Sequence, residues 1–133
     1  FSGEMMCRYM SIWIFMRMND FDTPIFRKTY DLYKTFYGYR ADISKQDRYT
    51  IWQKCESLIL EVLEAVLLAG HIGKIEKLPI LESASSKLNL LRVFIRLMCD
   101  IKAIDNRKYL TLQSDIDEIG RMLGGWIKSS RER

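Results

Sequence analysis

Apolar positions recur at three- and four-residue spacing in four separate stretches of the chain, which is the period of an amphipathic helix. The first stretch opens at Thr23-Pro24, a capping residue followed by proline at the first helical position, where a missing N–H costs nothing. Phe26, Tyr30, Tyr33 and Tyr37 recur along one face, Leu32 and Phe36 widen it, and Gly38 marks its end. Residues 44–46 read as the connection and Asp47 as the cap of a second helix, whose inner face carries Ile51, Cys55, Leu58, Ile59, Val62, Val66 and Ala69. Glu61 and Glu64 interrupt the apolar run of residues 58–69 and argue against a membrane span. Gly70 and Gly73 flank the next break, and Pro79 is expected to open a third helix. That helix carries a strict stripe of Leu81, Ala84, Leu88, Leu91, Ile95 and Met98, with a second stripe of Leu90, Phe94, Leu97, Ile101 and Ile104 beside it. Two adjacent stripes exceed the ~100° face that a simple surface helix needs, so this helix is expected to be covered on two sides. After Asp105-Asn106 a fourth helix runs from about Lys108 to Lys128, with Leu112, Ile116, Ile119, Leu123 and Trp126 inward. Gly120 and Gly124, four apart, share a face and allow close helix approach.

Four such segments joined by short connections define an all-α fold, an antiparallel up-down four-helix bundle. A length of 133 residues suits a single domain. Residues 1–17 stand apart: they are rich in Met and aromatics, begin with Phe, and hold an apolar core over residues 10–16. That core is too short to span a bilayer, the basic segment before it is thin, and no small-residue cleavage site follows. Met18 is therefore expected to be the biological start, with residues 1–17 an upstream extension. The bundle is assigned to residues 18–130 and a basic tail to residues 131–133.

Composition narrows the chemistry. The one histidine, His71, sits in a Gly-His-Ile-Gly turn without Cys or carboxylate at ligand spacing, so it reads as a solvated loop residue and no metal is expected. Cys7, Cys55 and Cys99 are far apart and odd in number, which points to a reducing, cytoplasmic setting rather than a disulfide framework. Cys55 and Cys99 read as small core residues. Carboxylates such as Glu56, Glu61 and Glu64 lack the Glu-x-x-His pairing of a di-iron bundle, and no phosphate-binding glycine loop occurs. No enzyme, no cofactor and no membrane association is expected. Net charge is +4, so any nucleic-acid role must come from clustering. Lys87, Arg92, Arg96 and Lys102 lie on the third helix or at its end, opposed over residues 86–102 only by Asp100; Arg92 and Arg96, four apart, are neighbours. Arg121, Lys128, Arg131 and Arg133 follow on the fourth segment. An antiparallel layout brings that end toward the start of the third helix, and so toward Lys87.

The stretch Lys87-Leu-Asn-Leu-Leu-Arg-Val-Phe-Ile-Arg-Leu-Met98 and the block Asp117-Glu-Ile-Gly-Arg-Met-Leu-Gly-Gly-Trp-Ile-Lys128 resemble the accessory variability determinant (Avd) proteins of diversity-generating retroelements. These fall within the wider four-helix bundles related to proteins encoded in ribosomal-RNA intervening sequences. The resemblance covers about residues 18–130, including Asp20-Phe-Asp-Thr-Pro24 and Gln46-Asp-Arg-Tyr-Thr-Ile-Trp-Gln-Lys54. It implies a non-catalytic structural cofactor, without metal, that forms a homopentameric barrel. It also implies association with the retroelement's reverse transcriptase and binding of nucleic acid, template RNA or cDNA, during adenine-mutagenic cDNA synthesis. By position, Arg92 and Arg96 match the family's paired arginines and are assigned to polymerase or RNA contact. Arg121 and Lys128 fit its basic ending, although Arg121 follows a glycine in a packed motif where a bond within the bundle is the alternative. Lys87 and Lys102 complete the candidate basic surface. The second apolar stripe, Leu90, Phe94, Leu97 and Ile101, becomes the expected protomer–protomer interface. The rival reading is a plain oligomerisation bundle of the intervening-sequence kind without a retroelement partner.

Overall fold

The computed structural model describes residues 23–132, so the expectations for residues 1–17 and Met18 lie outside the described residues. Four long helices form: α1, Pro24–Gly38; α2, Ile51–Ala69; α3, Lys74–Asp100; and α4, Asn106–Arg131. A 3₁₀ turn, Arg40–Asp42, and a one-turn helix, Lys45–Arg48, lie between α1 and α2. Among the described residues there is no strand, and no helix is long and apolar enough to cross a membrane. Helices α1 and α3 each pack against both α2 and α4, which makes the square cross-section of a four-helix bundle.

The α1 boundary follows the local chemistry. Thr23 is the extended N-cap, its carbonyl accepts from the Arg27 N–H at 2.9 Å, and Pro24 occupies the first position. The face that turns inward, however, is not the tyrosine-rich one. Ile25, Phe26, Thr29, Leu32 and Phe36 are buried, whereas Tyr30 and Tyr37 are exposed. The Thr29 hydroxyl donates to the Ile25 carbonyl at 2.8 Å, so a polar residue sits on the core face without an unmet hydrogen bond. Tyrosines at those core positions would have carried their hydroxyls inward.

Three further boundaries differ from the sequence expectation. Ser44, not Asp47, is the cap: its Oγ accepts from the Asp47 N–H at 3.3 Å, which starts the one-turn helix, and α2 begins later, at Ile51. Pro79 lies inside α3, which starts at Lys74 with the Lys77 N–H bonded to the Gly73 carbonyl at 3.0 Å. Good helix formers at residues 74–78 extend the helix one turn and more ahead of the proline, where only the Ile75 carbonyl loses a partner. Helix α4 runs to Arg131, so the basic ending is helical at its first residue.

The core stripe of α3 is as expected: Leu81, Ala84, Leu88, Leu91, Ile95 and Met98 are all buried. They meet Leu112, Ile116, Ile119 and Leu123 of α4 and the buried face of α2 in one cluster. Each fully buried large side chain contributes about 1.5–3 kcal/mol. On α4 Ile127 takes the buried position, and Trp126 is half-buried. Of the second α3 stripe, Ile104 is buried in the α3–α4 turn.

That turn is closed by a backbone motif. The Lys102 N–H bonds to the Cys99 carbonyl at 3.0 Å and the Ala103 N–H to the Met98 carbonyl at 2.8 Å, the paired bonds of a Schellman cap. Asp105 then caps α4, its carboxylate accepting from the Lys108 N–H at 2.8 Å. Lys102 has φ 62°, a conformation that favours glycine. Lys102→Gly is expected to raise the unfolding free energy by about 0.5–1 kcal/mol, measured by urea denaturation; a loss of stability would contradict the strain.

Candidate nucleic-acid and assembly surfaces

The α3–α4 pair gathers most of the candidate cations on its outer side. Arg92 reaches across to α4: its Nε donates to Asp117 Oδ1 at 3.2 Å, a second guanidinium nitrogen bonds Asn89 Oδ1, and its backbone carbonyl accepts from Gln113 Nε2 at 3.1 Å. The guanidinium lies over Gly120, where an added Cβ would fall 2.5 Å from Nη2 and 3.6 Å from Leu88 Cδ2. Gly120 thus creates the room for this clamp between helices, whereas Gly124, expected to share its face in a close helix approach, faces open space. Arg96, one turn on, is held only loosely: its side chain is 73% exposed and its Nε stands 4.0 Å from Asp100 Oδ2. Exposed pairs of this kind are worth little, which leaves the charge available.

Arg92 and Arg96 share a shallow groove of about 460 Å³ with Val93, Leu97, Asp100, Tyr109 and Gln113. Arg121 and Lys128 are exposed, seven residues apart and hence about 20° from alignment on one face of α4. Lys102 is exposed at the far end of α3. Lys87 does not join this group: it is half-buried, and nine residues place it about 180° around α3 from Arg96. The end of α4 does return to the start of α3, but the contact is Arg131 Nη2 to Glu82 Oε1 at 2.8 Å, about 140° around the helix from Lys87. Lys28 is also spent within the fold, between Asp115 at 3.4 Å and Glu118 at 3.0 Å. The hydrogen bond to Glu118, before any other influence, holds its pKa above the ordinary lysine value.

Bordering the groove of Arg92 and Arg96 on the outer face of α3 runs a row of exposed apolar side chains, Leu90, Val93 and Leu97, continued by Ile101 at the helix end. Phe94, beside them, is partly buried against the core. Val93, 61% exposed, is the member that the sequence reading missed, although its spacing of three from Leu90 and four from Leu97 marks it. Four exposed large apolar residues on one helix face form a contiguous patch of the kind that marks an interaction surface.

The other candidates are Cys55, Cys99 and His71. The Cys55 thiol is buried, donates to Met98 Sδ at 3.6 Å, and is pushed up to about 12 by burial, which disfavours the reactive thiolate. Cys99 is half-buried. His71, read as a solvated loop residue, is half-buried instead. It lines an apolar pocket of about 580 Å³ at one end of the bundle with Ile25, Phe26, Val66, Leu67, Met122 and Trp126. Lys77 lies at the same pocket, its Nζ 5.2 Å from the centre of the Trp126 ring. Among the described residues no group of three or more His, Cys, Asp or Glu side chains converges as a metal site.

The α3–α4 side of the bundle thus carries the exposed cations Arg96, Lys102, Arg121 and Lys128 and an exposed apolar row. Residues 24–130 match the family described as bAvd-like, and the chain belongs to that family. The family is of the accessory, non-catalytic type associated with retroelements. No curated protein and no solved structure matches the chain.

Proposed function

We propose that the chain is the accessory subunit of a diversity-generating retroelement, assembling as a homopentameric barrel and holding the element's reverse transcriptase on its nucleic acid during mutagenic cDNA synthesis. It would act in the cytoplasm and contribute no catalytic group; it positions the polymerase and the template RNA or cDNA. The observation that carries this reading is the row of Leu90, Val93, Leu97 and Ile101 left exposed along α3 of a bAvd-like chain. Phe94 flanks the row, which pairing with a second protomer would remove from water. Arg96, Lys102, Arg121 and Lys128 supply exposed positive charge for phosphates, with Arg92 and Lys87 nearer the protein body.

Arg96→Ala tests the basic face. It is expected to weaken RNA binding, with the slope of log affinity against log salt falling by about one phosphate contact. The fold should be unchanged, because an exposed side chain of this kind shifts stability by only about 0.5 kcal/mol. Binding equal to wild type at every salt concentration would remove Arg96 from the assignment.

A further inference from the structure

We propose that the outer face of α1 is a stacking platform for single-stranded nucleic acid, distinct from the basic face of α3 and α4. Arg27, Tyr30, Lys34 and Tyr37 follow one another at spacings of three, four and three, so they share a face about 15 Å long. Tyr30 is 43% and Tyr37 is 56% exposed. Each is backed by a more buried ring: Phe26 stands 5.8 Å from Tyr30, and Tyr33 stands 6.3 Å from Tyr37 between ring centres. Tyr33 is itself anchored, its hydroxyl donating to Glu56 Oε2 at 3.3 Å. The exposed rings are therefore braced rather than loose, which lowers the entropy lost when a ligand settles on them.

Charge selects the ligand. The basic side chains of this face are Arg27 and Lys34; Lys28 is held by Asp115 and Glu118, and the one acid between residues 24 and 40 is Asp31. Asp31 lies about 100° around the helix from Tyr30. Lys34 places its ammonium 5.9 Å from the centre of the Tyr30 ring. A cation beside an exposed ring is the pairing that holds a phosphate while the neighbouring base stacks. A protein partner would have to desolvate Lys34, and lysine is depleted at protein interfaces. A duplex keeps its bases stacked inside and offers these rings only backbone. The two exposed rings are about 10 Å apart along the helix axis, so one strand can lay separate bases on each.

This inference rests on the reading that the chain binds nucleic acid, and the experiment separates the two. The full chain is titrated into a labelled single-stranded RNA without self-complementarity and into an RNA duplex of equal length, followed by fluorescence anisotropy over a salt series. Tyr30→Ala with Tyr37→Ala is expected to weaken single-strand binding by about tenfold or more. Duplex binding and the salt slope should stay as in wild type. Tyr30→Phe with Tyr37→Phe should bind as wild type, since the ring and not the hydroxyl is used. Lys34→Ala should lower the single-strand slope by about 0.7.

Single-strand affinity unchanged in the alanine variant, while Arg96→Ala still weakens it, would overturn the platform and leave the general reading standing. Equal loss on duplex and single strand would overturn it too. A wild-type chain that binds neither RNA removes the general reading and the platform with it.

Discussion

Trp52→Ala is expected to lower the unfolding free energy by about 3–5 kcal/mol, a large share of the 5–15 kcal/mol that a domain usually has. Trp52 lies in the first turn of α2 and is almost fully buried. Its ring stacks on Phe36 of α1 with centres 3.7 Å apart and planes 8° from parallel. The pair joins α1 to α2 just where the chain between them is irregular, through the 3₁₀ turn and the one-turn helix. Removing the indole therefore opens a cavity beside the least regular connection and releases the end of α1. The indole N–H has no hydrogen-bond partner among the described residues, a cost that the native fold already bears. Trp52→Phe keeps an aromatic face against Phe36 and removes that orphan donor, so it should cost less than half as much as alanine. Urea unfolding of both variants checks the pair; an alanine variant losing less than about 1.5 kcal/mol would mean that the stack is not a main support of α1.

The second large effect is a loss of stability in alkali, centred on Cys55. Burial raises its thiol from the ordinary value of 9.0 to about 12, with no charged partner to offset the desolvation. The folded state therefore keeps a proton that the unfolded chain releases. The contribution is fully present below pH 9 and is lost as pH rises from 9 to about 12, a total of about 4 kcal/mol at 1.36 kcal/mol per pH unit. Tyr33, raised first by burial and then by Glu56, acts in the same direction. So do Lys28 and Lys108, raised by their hydrogen bonds to Glu118 and Asp42. Cys55→Ala separates the thiol from the rest: its stability should be lower at neutral pH but should decline less steeply above pH 9. Parallel declines for wild type and variant in urea titrations across this range would show that Cys55 does not govern the alkaline limit.

The reasons why some features are legible in the sequence are physical. The α3 stripe is legible because six apolar residues at strict spacing allow one orientation only; the second stripe divides, Phe94 and Ile104 packing on the core and Leu90, Leu97 and Ile101 facing solvent. The rotation of α1 is not legible, because two faces compete at the same spacing. Residues 25, 29, 32 and 36 go inward, and 26, 30, 33 and 37 match them one residue on. What decides is that Thr29 satisfies its hydroxyl on its own helix while a tyrosine hydroxyl cannot. That one-residue ambiguity also hid the α1 face with its exposed rings. Pro79 read as a helix start because proline favours the first turn, although a proline further in is tolerated where the preceding turn is solvated. Arg92 and Arg96 look equivalent in sequence. Only the approach of Gly120 and Asp117 from α4 makes the first a clamp and leaves the second to solvent.

The proposal that this bundle works as an assembled accessory subunit is decided by the mass of the chain in solution by light scattering, alone and with a reverse transcriptase encoded beside its gene. A particle five times the 15.8 kDa chain that captures the polymerase is the result expected from the exposed row on α3. A monomer or dimer that ignores the polymerase would contradict it and leave a four-helix interaction module without a retroelement partner.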